Sequence, residues 1–88
     1  MINVGFDNYV APARVAAVGQ PGSKPLIRLV RRARVRDMLI DFTLGRKTKA
    51  LVILDSGQVV LSALSSEALA GRYDREVERG ATLSVQEE

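Results

Sequence analysis

The sequence predicts a small α+β domain, with a mainly antiparallel sheet and two helices, on three observations. Between Pro25 and Arg36 apolar residues recur at helical spacing. Ala50 to Leu54 is an unbroken aliphatic run, and the turn residues Asp55-Ser56-Gly57 lead from it into Gln58 to Ser62. A second helix start, Ser65-Ser66-Glu67, follows that hairpin. With the short runs that precede them, the order is strand, strand, helix, strand, strand, strand, helix, which suits one layered domain.

Ile2 to Val10 is interrupted by Gly5, Asp7 and Asn8, so it predicts a strand and a turn, with a second strand beginning near Ala13 and continuing through Val18. Gly19-Gln20-Pro21-Gly22-Ser23 has the residues of a loop, and Ser23 suits a helix cap with Pro25 in the first turn. In the helix that follows, Leu26, Leu29, Val30 and Ala33 form an apolar stripe. Arg28, Arg31, Arg32 and Arg36 fill much of the remaining arc, which makes the helix amphipathic with a cationic face. Met38 to Phe42 predicts a strand, and Ala50 to Leu54 a central one. The last helix starts after Ser65 or Ser66 and stops at Gly71 or runs toward Arg79, with Ala81 to Glu88 expected to fray.

At 88 residues the chain is one domain with a thin core, and self-association would be a natural supplement. Aromatic residues are 5% of the chain, so that core must be mainly aliphatic. Cysteine and histidine are both absent, which excludes disulfides, the usual zinc sites and Cys or Ser-His nucleophiles. No metal, cofactor or catalytic residue is expected, and an enzyme is the least favoured class. Nowhere do about 18 apolar residues run together, and the start of the chain does not look like a signal segment, so a cytoplasmic protein without a membrane partner is expected.

Charge is polarised along the chain. Ten basic residues face two acidic ones between Arg14 and Lys49, whereas from Tyr73 to the end two basic residues face five acidic ones. A basic body with an acidic tail points to a polyanionic partner, because cations that neutralise phosphates release condensed counterions. The sharpest candidate site is Gly45-Arg46-Lys47-Thr48-Lys49, set between two strand-like runs that would hold Arg46, Lys47 and Lys49 in a nearly fixed display. Gly45 permits close backbone approach, Thr43 and Thr48 add hydroxyl donors, and Arg46 can grip phosphate with two prongs. The helix arginines read first as a solvated face, and Arg14 as either an ion-pair member or a ligand contact.

Two other patterns carry no chemistry. Gly19 to Lys24 lacks the glycine spacing and Gly-Lys-Ser/Thr ending of a nucleotide phosphate loop. Asp41 and Asp55 have no supporting base and suit structural positions at strand ends.

Several separated motifs, in order, resemble the RemA-type extracellular matrix regulatory proteins, small bacterial DNA-binding regulators. They are Asn3-Val4-Gly5-Phe6 with Asn8, Ala13-Arg14, Ser23 with Pro25, Met38-Leu39-Ile40-Asp41 leading into Gly45 to Ala50, then Asp55-Ser56 and Val60-Leu61-Ser62-Ala63. The resemblance implies a RemA-like DNA-binding domain over residues 1–73, with residues 74–88 as an acidic tail outside it. It also implies a transcription regulator of extracellular matrix (biofilm) genes that assembles into a ring-like homo-oligomer. Arg14, Arg46 and Lys47 fall where the family has DNA-contacting basic residues; Lys47 and Lys49 stand where the family usually has Arg, and Phe42 and Leu44 also depart from its pattern. RNA binding, or a structural ring that recruits acidic proteins, are the competing readings of the same cations.

Overall fold

A computed structural model describes the backbone of residues 1–87 and the side chains of residues 1–79. The elements are β1 (Ile2–Asn3), β2 (Tyr9–Val10), β3 (Val15–Gly19), α1 (Lys24–Val35), β4 (Leu39–Asp41), β5 (Ala50–Leu54), β6 (Val59–Ser62) and α2 (Ser66–Glu87). A single 3-10 turn, Pro12–Arg14, joins β2 to β3. The beginning of the chain thus differs from expectation. Tyr9 and Val10 pair with Asn3 and Ile2 as a separate two-stranded hairpin, and the run near Ala13 is a turn because Pro12 supplies no N–H for a ladder.

The main sheet has the order β3-β5-β6-β4. Both β3-β5 and β5-β6 are antiparallel, while β4 runs parallel to β6. The sheet is therefore mainly antiparallel, as expected, with one parallel edge. That edge arises because the chain leaving β4 passes over the end of β6 before returning as β5, and the β5-β6 hairpin then fills the space between. The three residues Asp55-Ser56-Gly57 close this hairpin, with the Gly57 N–H donating to the Leu54 carbonyl at 3.0 Å.

Strand alternation divides the core into two layers. Ala50, Val52 and Val60 face Ile2, Val4 and Val10 of the small hairpin and Leu69 of α2, with Phe42, Leu64 and Tyr73 packed around them. Leu51, Val59 and Leu61 face the other way, against Ala33 of α1 and the neighbouring Leu26, Leu29 and Val30. The apolar stripe read from the sequence is thus the buried face of α1.

Local rules fix both ends of α1. Ser23 caps the first turn, its hydroxyl accepting from the Leu26 N–H at 3.4 Å, and Pro25 sits in that turn. Gly19 ends β3 so close to this helix that a Cβ there would lie 2.8 Å from a Leu26 methyl. At the other end the Met38 N–H donates to the Ala33 carbonyl (2.7 Å) and the Asp37 N–H to the Arg34 carbonyl (3.3 Å). This is the Schellman pattern, with Asp37 at φ 58 in the position glycine usually takes.

Just before helix α2 the Ser65 hydroxyl accepts from the Ala68 N–H at 3.1 Å, and the helix passes through Gly71 without stopping. Packing explains the continuation: Leu69 and Tyr73 lie on the core, and Arg72 donates to the Asn3 carbonyl at 2.7 Å. Fraying is expected from Ala81 to Glu88, but α2 continues as helix through Glu87, and Glu88 lies outside the described residues. Among the described residues, no helix is long and apolar enough to cross a membrane.

Candidate nucleic-acid interface

The basic loop is fastened at both ends to β6. The Phe42 N–H donates to the Leu61 carbonyl at 3.0 Å, and the Lys49 N–H donates to the Ser62 carbonyl at 2.9 Å. Between these anchors the chain makes a tight turn, with the Arg46 N–H donating to the Thr43 carbonyl at 3.0 Å. Leu44 and Gly45, its two central residues, both have positive φ, 51° and 79°, as a type I′ turn requires. Glycine adopts this backbone freely; Leu44 adopts it at a cost and projects a 70% exposed side chain.

The root of the turn is held by Asp41. Its carboxylate accepts from the Thr43 hydroxyl at 2.6 Å and from the Thr43 N–H at 2.9 Å, while Thr43 itself is buried. The hydroxyl contact, then the backbone N–H, and more weakly the charge of Arg34, hold the Asp41 carboxyl below its usual range against a small opposing effect of desolvation. The acid beside the cations is thereby occupied as a loop fastener, leaving Arg46, Lys47 and Lys49 exposed beyond it.

A second element braces Arg46. The tip of the β1-β2 hairpin carries Gly5, Phe6 and Asp7, all at positive φ. Asn3 accepts from the Gly5 N–H at 2.8 Å, and the Asn8 amide donates to the Gly5 carbonyl at 3.2 Å. Ser62, buried at the end of β6, donates to the Val4 carbonyl at 2.7 Å and so ties this hairpin to the strand that also anchors the basic loop. Phe6 then lies under the Arg46 guanidinium, whose carbon is 5.7 Å from the ring centroid. Such a contact is worth about 0.5–1 kcal/mol at an exposed site and restricts where the guanidinium points.

The structure brings Arg46, Lys47 and Lys49 together on one loop, but it does not bring Arg14 to them. The Asp55 N–H donates to the Arg14 carbonyl at 2.8 Å, and the Arg14 guanidinium pairs with the Asp55 carboxylate at 3.5 Å. Arg14 therefore lies at the Leu54 end of β5, while the loop lies at the Ala50 end; four residue steps along the strand, about 13 Å, separate those ends. The pair is exposed, so it contributes at most about 1 kcal/mol and leaves Arg14 available to a ligand.

Sequence reasoning did not find Phe6 as a neighbour of Arg46, since nothing in the local pattern of either segment refers to the other. The turn-forming cluster Asn3, Gly5 and Asn8 was the only signal that Phe6 would sit at a fixed tip.

The RemA-like family profile, described as extracellular matrix regulatory protein A-like, matches residues 1–73. Three relatives share the name "Putative regulatory protein". One from Synechococcus elongatus is 51% identical over 72 residues, covering 82% of this chain and 83% of the relative. One from Dictyoglomus turgidum is 47% identical over 74 residues, covering 84% and 87%. One from Alkaliphilus metalliredigens is 41% identical over 88 residues, covering 94% and 95%. With similarity of this depth across the hairpin, the sheet and the basic loop, the chain belongs to the RemA-like family of regulatory proteins.

Proposed function

We propose that this protein is a cytoplasmic DNA-binding transcriptional regulator, acting on extracellular matrix genes as the family description suggests, and that it binds as a ring-like homo-oligomer rather than acting as an enzyme. The carrying observation is the anchored turn at Thr43 to Lys49: three exposed cations on backbone pinned at both ends, with Arg46 further braced by Phe6. Preorganised cations lose little entropy on meeting phosphate, and Arg46 retains the fork geometry for a two-pronged grip.

Magnitude explains the need for repetition. Three phosphate contacts from one loop give a log–log salt slope near −2.7, or roughly 40-fold weaker binding between about 50 and 200 mM salt. Alone that is a weak site. Loops repeated around an assembly raise effective concentration and supply the avidity a regulator requires. The aromatic side chains favour duplex over single-stranded RNA: Phe42 and Tyr73 pack on the core and Phe6 carries Arg46, leaving Tyr9 as the one aromatic ring free for stacking among the described residues.

The test is duplex binding across a salt series, with assembly size recorded on the same samples, for the wild type, Arg46→Ala and Lys47→Ala. Salt-sensitive binding that collapses in the variants while the assembly persists supports the reading. Unchanged binding in both variants removes the loop from it, and wild-type protein that ignores duplex DNA refutes it.

A further inference from the structure

Helix α1 carries Lys24, Arg28, Arg31, Arg32 and Arg34, with Arg36 at its C-cap. Successive cations stand three or four residues apart, at Lys24 and Arg28, Arg28 and Arg31, Arg28 and Arg32, Arg31 and Arg34, and Arg32 and Arg36, so like charges adjoin along the helix and oppose its formation. Among the described residues, no ion pair includes any of these cations. The charge of Asp41 acting on Arg34 and the helix dipole near the last turn relieve this repulsion only in part, so an external polyanion has much to gain.

The cations do not all face the same neighbour. Arg31 and Arg34 lean over an open cleft of about 290 Å³ whose far wall includes Thr48 of the basic loop and whose floor is Leu51 and Leu61. Arg32 and Arg36 lie on the opposite flank, beside the Ser56-Gly57 turn. Arg28 and Lys24 continue from Arg31 along the exposed crest, around a second open depression. The cleft therefore sets Arg31 and Arg34 across from Thr48 of the basic loop, and Arg28 continues from Arg31 along the crest. The helix is about 18 Å long, which laid along the duplex axis spans about five phosphates of one strand.

We infer that Arg31 and Arg34 form a second phosphate-contacting station for the same duplex, so that DNA leaving the loop is held against α1 instead of touching the protein only at the turn. This rests on the duplex-binding reading above and extends it: the loop and the helix grip consecutive stretches of backbone, and the helix contributes affinity and curvature without reading bases. Charge complementarity selects the occupant. The crest carries cations with two exposed aliphatic residues, Ile27 and Val35, which leaves it too polar to seat a neutral apolar helix.

The experiment measures duplex affinity over a salt series with the full chain, comparing the wild type with Arg31→Gln/Arg34→Gln, Arg32→Gln/Arg36→Gln and Arg46→Ala, with assembly size followed throughout. Glutamine keeps helix propensity and removes like-charge repulsion, so the helix variants are expected to fold at least as well as wild type. The expected result for Arg31→Gln/Arg34→Gln is a salt slope less steep by about 1.8 and affinity lower by roughly 60-fold near 0.1 M salt, with Arg32→Gln/Arg36→Gln changing the slope by less than half as much. Equal losses in the two helix variants would show diffuse attraction and overturn the station. An unchanged Arg31→Gln/Arg34→Gln variant beside a defective Arg46→Ala also overturns it, while leaving the loop as the DNA site. If no variant differs from wild type, both the helix station and the loop are overturned as DNA contacts; if wild type does not bind duplex DNA, the underlying function fails as well.

Discussion

Replacing Ser62 with alanine should unfasten the hairpin that braces the basic loop. The Ser62 side chain is fully buried, donates to the Val4 carbonyl at 2.7 Å and accepts from the Leu64 N–H at 3.1 Å. Ser62→Ala removes both partners and adds no volume, so a buried carbonyl and a partly buried N–H lose their hydrogen bonds. Each such loss costs about 1–3 kcal/mol, and with Leu64 only partly buried we take a total near 3 kcal/mol. For a domain of this size that is a fall of roughly 12–24 °C in Tm. The assay is thermal unfolding followed by circular dichroism at one fixed protein concentration, since self-association would shift Tm by mass action. Amide exchange at Val4 and Asn8 should accelerate too, because the Val4 N–H donates to the Asn8 carbonyl within the released hairpin. A fall of less than about 4 °C, with exchange unchanged, would refute the claim that Ser62 holds the two loops together.

Two further predictions concern the ends of β4. Asp41→Asn should cost about 1 kcal/mol at neutral pH, because an ionised acceptor for two Thr43 donors is replaced by a neutral one. Folding depresses the Asp41 carboxyl, so its contribution is complete above the ordinary carboxylate range and is lost as pH falls through the folded value; the difference in stability between wild type and variant, measured by urea titration, should therefore shrink below about pH 4. Asp37→Gly should instead stabilise the protein by about 0.5–1 kcal/mol, read as a higher urea midpoint at constant slope, since Asp37 holds a left-handed backbone that glycine adopts without strain; a lower midpoint would show that the aspartate makes a compensating interaction.

Local chemistry made much of this architecture legible. Ser23 and Pro25 marked the start of α1, the spacing of Leu26, Leu29, Val30 and Ala33 marked its buried face, and Asp55-Ser56-Gly57 marked the hairpin between β5 and β6. Those signals lie within a few residues of the structures they specify. The parallel edge and the small separate hairpin were not legible, because strand order depends on which pairing buries more surface across the whole domain. Gly71 was an ambiguous stop for the same reason: its local preference opposes a helix, but Leu69, Arg72 and Tyr73 bind the turns on both sides of it to the core. The cations of the site could be read from composition, whereas Phe6 under Arg46 is a contact between residues 40 positions apart.

The position of Arg14 bears on how the proposed assembly would use its basic residues. Within a protomer Arg14 and the basic loop occupy opposite ends of β5, so they cannot close on the same phosphate. A lone protomer meeting DNA with its loop leaves Arg14 at the far end of the sheet. In the proposed assembly a head-to-tail contact would change this geometry, by setting the Arg14 end of one copy toward the loop end of the next. Arg14 and Arg46 would then serve one stretch of DNA from neighbouring subunits, and the complete site would exist only in the assembly. On the proposed reading, weak binding by each loop and the separation of Arg14 would both be met by repeated copies, with affinity built across the assembly rather than within one protomer.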